Sequence, residues 1–525
     1  MGMWLMHRTA LMLAVVGTGV AFADDVPSDP EGVGQIDAPV AASQGREGRP
    51  DAVAALQARL AEGVTPETNA VVRLWDCMGP DVARPLPDEY FERLGVDRPG
   101  RGGTPFVGLY AFLSAKDGVE ADAAARQRAG GTLSRRAGRA WRAADDPDLA
   151  AWLEENERPL AVATEAASLP GYFSPLVPPS DEKGRRSVYH CLLPGTQCCR
   201  DIGRAFLVRA MLRLGEGDAD AAWSDLLACH RLGRLVARGG TLVDLLVADA
   251  LDTSASRAGF VFLEAVEHDE DRVARCLRDL ESLPDLPTVG ECVDRWERVA
   301  MLDTVSLIGK RGFDVFETGD GGPPVWQPTR FVGDLVLKSL DWEPALETVD
   351  AWFDRLVADL AEPDRASRAE KLARFGTEVQ RLKNQADGGR AIARLLLAGK
   401  PAGRALSRSI GEITVGLLMP ATDAAVVAAD RRRQTHDILL AAFALARFRG
   451  VHGRYPGTLA ELSPDVLDRV PGDLFRGGEL TFRPHDEGYL LYGVGPNLRD
   501  DGGPSAGDES SGDDIGVRVP RSTGG

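Results

Sequence analysis

The sequence predicts a mainly α-helical protein: an irregular array of helical hairpins closed by a small α+β module at its C-terminal end. Three observations carry that prediction. Between Ile202 and Arg238 two helical runs face each other across the break Gly215-Glu-Gly-Asp218. Ile438, Leu439, Ala442, Phe443 and Ala446 recur with the period of an α-helix. Further on, Leu480 and Phe482 alternate with polar residues, and Tyr489 to Val494 reads as the return strand of a hairpin.

Taken in order, Met1 to Ala23 carries His7-Arg8, an apolar run from Leu11 to Val20, and Ala21-Phe22-Ala23 ahead of Asp24-Asp25. A basic start, a short apolar stretch and small residues mark a cleavable secretory signal. Cleavage is therefore expected after Ala23, with the mature chain periplasmic or secreted. No cysteine stands at the cleavage point to carry a lipid. Residues 24–50 are rich in Pro, Gly and Asp and are expected to form a flexible leader. Residues 51–420 read as an α-helical domain and residues 421–525 as the C-terminal module.

The 525 residues are 44% hydrophobic and 27% charged, enough apolar material for a core in more than one domain. A net charge of -18 counts against nucleic acid or an anionic membrane as the main partner, because phosphate surfaces demand clustered positive charge. No stretch after the signal is long and uncharged enough to predict stable membrane insertion. A protein partner fits this surface, and so does a cation.

From Asp51 onward, Val53, Leu56 and Leu60 share one helical face, and a second helix is expected to stop at Gly79-Pro80. Trp141 to Ala167 gives one or two helices whose Trp152, Leu153, Leu160 and Val162 need a core. In the pair from Ile202 to Arg238, Ala210, Gly217, Ala222, Leu226 and Cys229 stand at the spacings of a tetratricopeptide unit, where small residues let paired helices approach. A second copy would need a small residue where Asp244 stands, so the array is expected to be irregular. Val266 to Leu283, Cys292 to Ile308 and Asp341 to Leu360 continue as helices, the last turning Trp342, Leu346, Val349, Trp352, Phe353 and Leu356 inward. Gly319 to Pro324 reads as a surface insertion, Arg365 to Lys383 as a charged helix, and Ala391 to Leu397 and Ile410 to Met419 as apolar segments leading to the module. The phrases from Trp141 to Ala167, Gly171 to Pro179 and Asp341 to Leu360 resemble exported proteins of planctomycete bacteria. That resemblance implies no activity.

Seven cysteines, Cys77, Cys191, Cys198, Cys199, Cys229, Cys276 and Cys292, leave one odd thiol. In an oxidising compartment Cys191 is nearest in sequence to Cys198 or Cys199, although spacing alone does not assign a disulfide. His190-Cys191 with Cys198-Cys199 matches no zinc-ligand spacing. Nucleophile elbows, metalloprotease helices, phosphate-binding loops and dinucleotide fingerprints are absent from the sequence. His190, His230, His268, His436, His452 and His485 are scattered, and each reads as a lone structural residue. Glu291, Asp294 and Glu297, and the run Glu154-Glu155-Asn156-Glu157, read as solvated faces rather than acid/base pairs.

The C-terminal module opens with a helix ended by Gly450 and Gly453, after which Tyr455-Pro456 forces extended backbone. A short helix is expected from Thr458 to Leu467, then the hairpin, then a third strand through Ile515, Val517 and Val519. Gly495 to Asp514 is a Gly/Pro/Ser/Asp loop that cannot make a core of its own. It supplies Asn497, Asp500, Asp501, Asp508, Asp513 and Asp514, the oxygen donors that a hard cation such as calcium takes. Arg499 breaks the spacing of an EF-hand. The run "ALARFRGVHGRYPGTLAEL", followed by "VPGDLF", "YLLYGVGPN" and "GDDI", resembles the C-terminal half of the major pseudopilin of type II secretion systems. The resemblance implies a helix leading through a Tyr-Pro corner into a small antiparallel sheet, with calcium held by an Asp-bearing loop before the last strand. Here the module follows a long helical chain, so the implication extends to fold and ion site rather than to filament assembly.

The expected function is an extracytoplasmic binding or scaffold role with a calcium-stabilised module and no catalytic residue. One alternative is an extracytoplasmic hydrolase with paired carboxylates in a helical groove above an aromatic floor. The other is a secretion accessory that docks a pseudopilus through an exposed apolar face on the helix from Ile438 to Phe448.

Overall fold

In the computed structural model, capping residues decide where the helices begin. It describes residues 52–311, 340–386, 404–418, 422–504 and 512–520, apart from 101–103, 118–122, 179, 182–183, 186 and 486–487. The expected signal and leader, the expected insertion from Gly319 to Pro324, the segment from Ala391 to Leu397 and the candidate ligand Asp508 lie outside the described residues.

The N-terminal part comprises α1 (Ala52–Leu60), α2 (Ala70–Ala83), α3 (Asp88–Leu94), α4 (Leu109–Asp117), α5 (Ala123–Ala137), α6 (Pro147–Glu155) and α7 (Glu157–Ala167). Asn69 starts α2 by accepting from Val71 N, and the expected stop at Gly79 is a kink with φ 79°, beyond which the helix resumes. Trp141 to Ala167 makes two helices because Asn156 intervenes. Its side chain is fully buried and pairs with Val107, accepting from its N at 2.8 Å and donating to its O at 3.0 Å. Glu154, Glu155 and Glu157 stay exposed, so the acidic run splits into a wet face and one buried amide. Two short strands, β1 (Ser180–Asp181) and β2 (Gly184–Arg185), follow.

Four consecutive helices follow, α8 (Pro194–Gly215), α9 (Ala219–Ala237), α10 (Leu242–Val266) and α11 (Glu270–Glu281). Each junction carries an oxygen cap: Asp218 accepts from Ala221 N at 3.0 Å, Thr241 from Asp244 N at 3.0 Å, and Asp269 from Arg272 N at 3.0 Å. Ala210, Ala222, Leu226 and Cys229 are fully buried where α8, α9 and α10 pack. Asp244, the residue that spoiled the second repeat, is the other half of the Thr241 capping box and also accepts from Thr196 Oγ1 at 2.7 Å. Position in a cap, not repeat register, accounts for it.

Next come α12 (Val289–Cys292), a π-helical turn (Val293–Glu297) and α13 (Arg298–Arg311). The π turn rotates the chain, so Glu297 is buried, while Glu291 caps Thr288 and Asp294 pairs with Arg298 at 2.9 Å. The solvated face expected here is therefore not what forms. Helices α14 (Glu343–Leu360), α15 (Arg365–Ala386) and α16 (Arg404–Leu418) pack together. Leu346, Val349, Phe353 and Leu356 are buried as expected, whereas Trp352 is half-buried, edge-on to Phe375 of α15 at 5.3 Å between centroids.

Helix α17 (Thr422–His452) packs against α10 and α11 on one side and against the C-terminal strands on the other. Ala441 to Ala446 are all buried, so its middle is enclosed on every face rather than amphipathic. The second helix expected from Thr458 is one 3-10 turn, Leu459–Leu462. Pro464 lacks the amide and crowds the carbonyl that a longer helix would need. Strands β3 (Thr481–His485), β4 (Gly488–Gly493) and β5 (Ile515–Val519) form an antiparallel sheet in that order, with Phe482 opposite Leu491 and Leu491 opposite Val517. One continuous apolar core runs from Val53 to Val519. No described helix is long and apolar enough to cross a membrane.

Candidate metal centre

The acidic loop folds back on itself where β4 ends and β5 begins. A side chain at Gly495 would drive its Cβ into the backbone oxygen of Asp513, so only glycine lets the two ends of the loop approach. Amide donors then order the carboxylates. Asp513 Oδ2 accepts from Asn497 N at 2.9 Å, and Asp514 Oδ2 accepts from Asp501 N at 3.0 Å and Gly503 N at 2.8 Å. Asp501 Oδ2 accepts from Asn497 Nδ2 at 3.1 Å and Asp513 N at 3.3 Å. The carboxylate oxygens of Asp501, Asp513 and Asp514 come within 4.8 Å of one another.

Of the residues named from sequence, these three converge. Asn497 braces them from the rim through its amide groups. Asp500 is drawn away: its Oδ1 accepts from Tyr492 Oη at 2.9 Å and Gly502 N at 3.1 Å, and Arg476 stands 3.6 Å from its Oδ2. The Tyr492 hydroxyl holds the Asp500 carboxyl below its ordinary value. Burial pushes the Asp514 carboxyl up, against the amides of Gly503, Gly495 and Asp501. Asp513 Oδ1 and Asp514 Oδ1 are shut from water and meet no donor. Two such oxygens beside a third carboxylate can hold a divalent cation.

A second constellation escaped the sequence entirely. His230 on α9, Asp252 on α10 and His436 on α17 bring their ligating atoms within 4.8 Å of one another. His230 Nδ1 lies 2.6 Å from Asp252 Oδ1, which Arg234 also engages, and the two imidazoles meet edge to face at 5.8 Å. Asp252 is fully buried; burial alone would raise its carboxyl, but the contacts with His230 and Arg234 outweigh that and hold it well below the usual range. Burial pushes His436 down to about 3, so its imidazole is neutral. No linear spacing links residues on three helices so far apart in the chain, and each histidine looked solitary.

A shallow cleft between α2 and α7 gathers Glu67, Asp76 and Glu165; Asp76 and Glu165 are bound to Arg73, at 2.5 and 2.6 Å, over apolar Val72 and Leu169 rather than an aromatic floor. Asp225 is shared by Arg209 at 2.6 Å and Arg213 at 2.8 Å. No protein-family model, curated protein or solved structure matches the chain.

Proposed function

We propose that the chain is an extracytoplasmic binding or scaffold protein whose C-terminal loop is closed by calcium. What supports the calcium site is the convergence of the Asp501, Asp513 and Asp514 carboxylates within 4.8 Å, together with the unpartnered oxygens Asp513 Oδ1 and Asp514 Oδ1. A buried carboxylate oxygen left without a donor is costly, and a hard cation offsets that cost. The donors are oxygens on a glycine-rich loop, which suits the variable six- to eight-fold shell of calcium better than the strict octahedron of magnesium. The ion would join the turn after β4 to the start of β5. Its role is structural, since no nucleophile or free base adjoins it among the described residues.

A binding or scaffold role is supported by the signal-like N-terminus, the helical array and the ion pairing of the cleft's Asp76 and Glu165 with Arg73. An exposed apolar face on α17 would favour pseudopilus docking, but that face is covered by α10, α11 and the sheet.

The test uses the full chain. Its thermal midpoint is compared in calcium and in chelator, beside a variant carrying Asp513→Asn and Asp514→Asn. Calcium at a hundredfold excess over its dissociation constant should stabilise the wild type by about 2.7 kcal/mol. The double variant should show no rise. Equal midpoints for the wild type in calcium and chelator, with no calorimetric binding, would overturn the proposal.

A further inference from the structure

Asp252 Oδ2 and His436 Nδ1 face each other across 3.9 Å, both shut from water and both without a hydrogen-bond partner. That gap is too long for a hydrogen bond, which closes at about 3 Å. A bridging cation would draw the two atoms about half an ångström closer, since bonds of about 2.0–2.1 Å at the tetrahedral angle set donors about 3.4 Å apart. Leaving two polar atoms unmet in the same buried gap is expensive, and native interiors rarely do it without an ion or a water between them.

We propose that His230, Asp252 and His436 form a second, separate cation site of the zinc class, pinning α9, α10 and α17 together. Two imidazoles and one carboxylate are the donors that zinc and its first-row neighbours accept, whereas calcium and magnesium want oxygen alone. The set differs in kind from the all-oxygen loop, so the two sites are told apart by metal. His230 joins through Nδ1 by giving up its hydrogen bond to Asp252 Oδ1, the proton on that nitrogen passing to solvent as the metal binds. Asp252 keeps Arg234 on Oδ1 and offers Oδ2. Arg432, which donates to Asp249 Oδ1 at 3.1 Å, also flanks the site. With two guanidiniums nearby, affinity is expected to fall below that of a closed structural zinc site. Each ligand comes from a different helix, so the ion would act as a cross-link where the array meets the C-terminal module.

The probe is cobalt(II), added to the metal-free full chain and then displaced by zinc. The wild type should develop visible d–d absorption at one equivalent and lose it to zinc, and pulsed electron spin resonance should count two imidazole nitrogens on the metal. His436→Gln should abolish the absorption while the calcium response of the acidic loop persists. Asp513→Asn with Asp514→Asn should leave the cobalt spectrum unchanged. If His436→Gln fails to fold, the imidazole count on the wild type decides alone. The proposal is overturned by an absent cobalt spectrum, by thiolate charge-transfer bands that assign the metal to cysteines, by a spectrum that survives in folded His436→Gln, or by fewer than two imidazoles. A gap filled only by water would give the first of these results.

Discussion

The Tyr455 hydroxyl donates a 3.1 Å hydrogen bond to Glu267 Oε2, joining the Tyr-Pro corner of the C-terminal module to the end of α10. Arg449 completes the triangle, reaching Glu267 Oε1 at 3.0 Å and the Tyr455 oxygen at 3.0 Å. The Tyr455 ring also meets Tyr489 of β4 edge-on at 5.0 Å, so one residue couples corner, helix and sheet.

Tyr455→Phe keeps the ring and removes the hydroxyl, and should cost about 1 kcal/mol. Glu267→Ala strips the acceptor from both Arg449 and Tyr455 and should cost about 2–3 kcal/mol. Urea unfolding gives the totals, and amide exchange across residues 453–459 should accelerate in both variants. Unchanged exchange there would show that the corner is held by packing alone.

Two helical glycines should respond to alanine in opposite directions. A Cβ at Gly215 would collide with the backbone oxygen of Trp141, a residue already anchored by Trp141 Nε1 donating to Val208 O at 3.1 Å. Gly215→Ala should therefore destabilise by about 2–4 kcal/mol, since backbone must move. Gly376 on α15 is exposed, and a Cβ added there would meet nothing within 4 Å, so Gly376→Ala should stabilise by about 0.5–1 kcal/mol through helix propensity. Denaturation midpoints of the two variants check both signs.

None of the seven cysteines is in a disulfide, including Cys191, Cys198 and Cys199, where one was open from sequence. Burial pushes Cys77 and Cys276 up to about 12, and drives Cys199, Cys229 and Cys292 higher still. Thiolate is the reactive form. Under native conditions alkylation should start at half-buried Cys191 and spare those five until the chain unfolds, when seven equivalents react. Mass spectrometry of timed iodoacetamide labelling reads the order; a shortfall of two in denaturant would mean a disulfide.

Asp249 supplies a pH dependence. Burial raises its carboxyl to about 6 from 3.8, against the attraction of Arg432, with Asp252 adding repulsion. Between those values the folded chain holds a proton that the unfolded chain has released, so stability from this group falls as pH rises and levels off above about 6. In metal-free protein, the unfolding free energy of the wild type minus that of Asp249→Asn should decline from pH 4 to pH 6. A difference that rises or stays flat would place the Asp249 midpoint elsewhere.

Local pattern made much of the fold legible. The break at Gly215 to Asp218 and the capping oxygens mark helix ends within a few residues of one another in sequence, and the alternation around Phe482 sets a hairpin the same way. The acidic loop was legible for a similar reason: Asp513 and Asp514 adjoin the last strand, and Asp501 stands in the same glycine-rich stretch of sequence. Tertiary packing chose among the candidates, turning Asp500 toward Tyr492 and leaving Asp513 Oδ1 and Asp514 Oδ1 unmet. It also enclosed α17, whose apolar stripe had suggested one buried face, because α10, α11 and the sheet all converge on it. By itself, then, the sequence determined what depends on neighbours along the chain: caps, periods, turns and the loop that gathers carboxylates. Only the tertiary structure decided that His230, Asp252 and His436 meet, since contacts between three separate helices leave no periodic trace in any one of them.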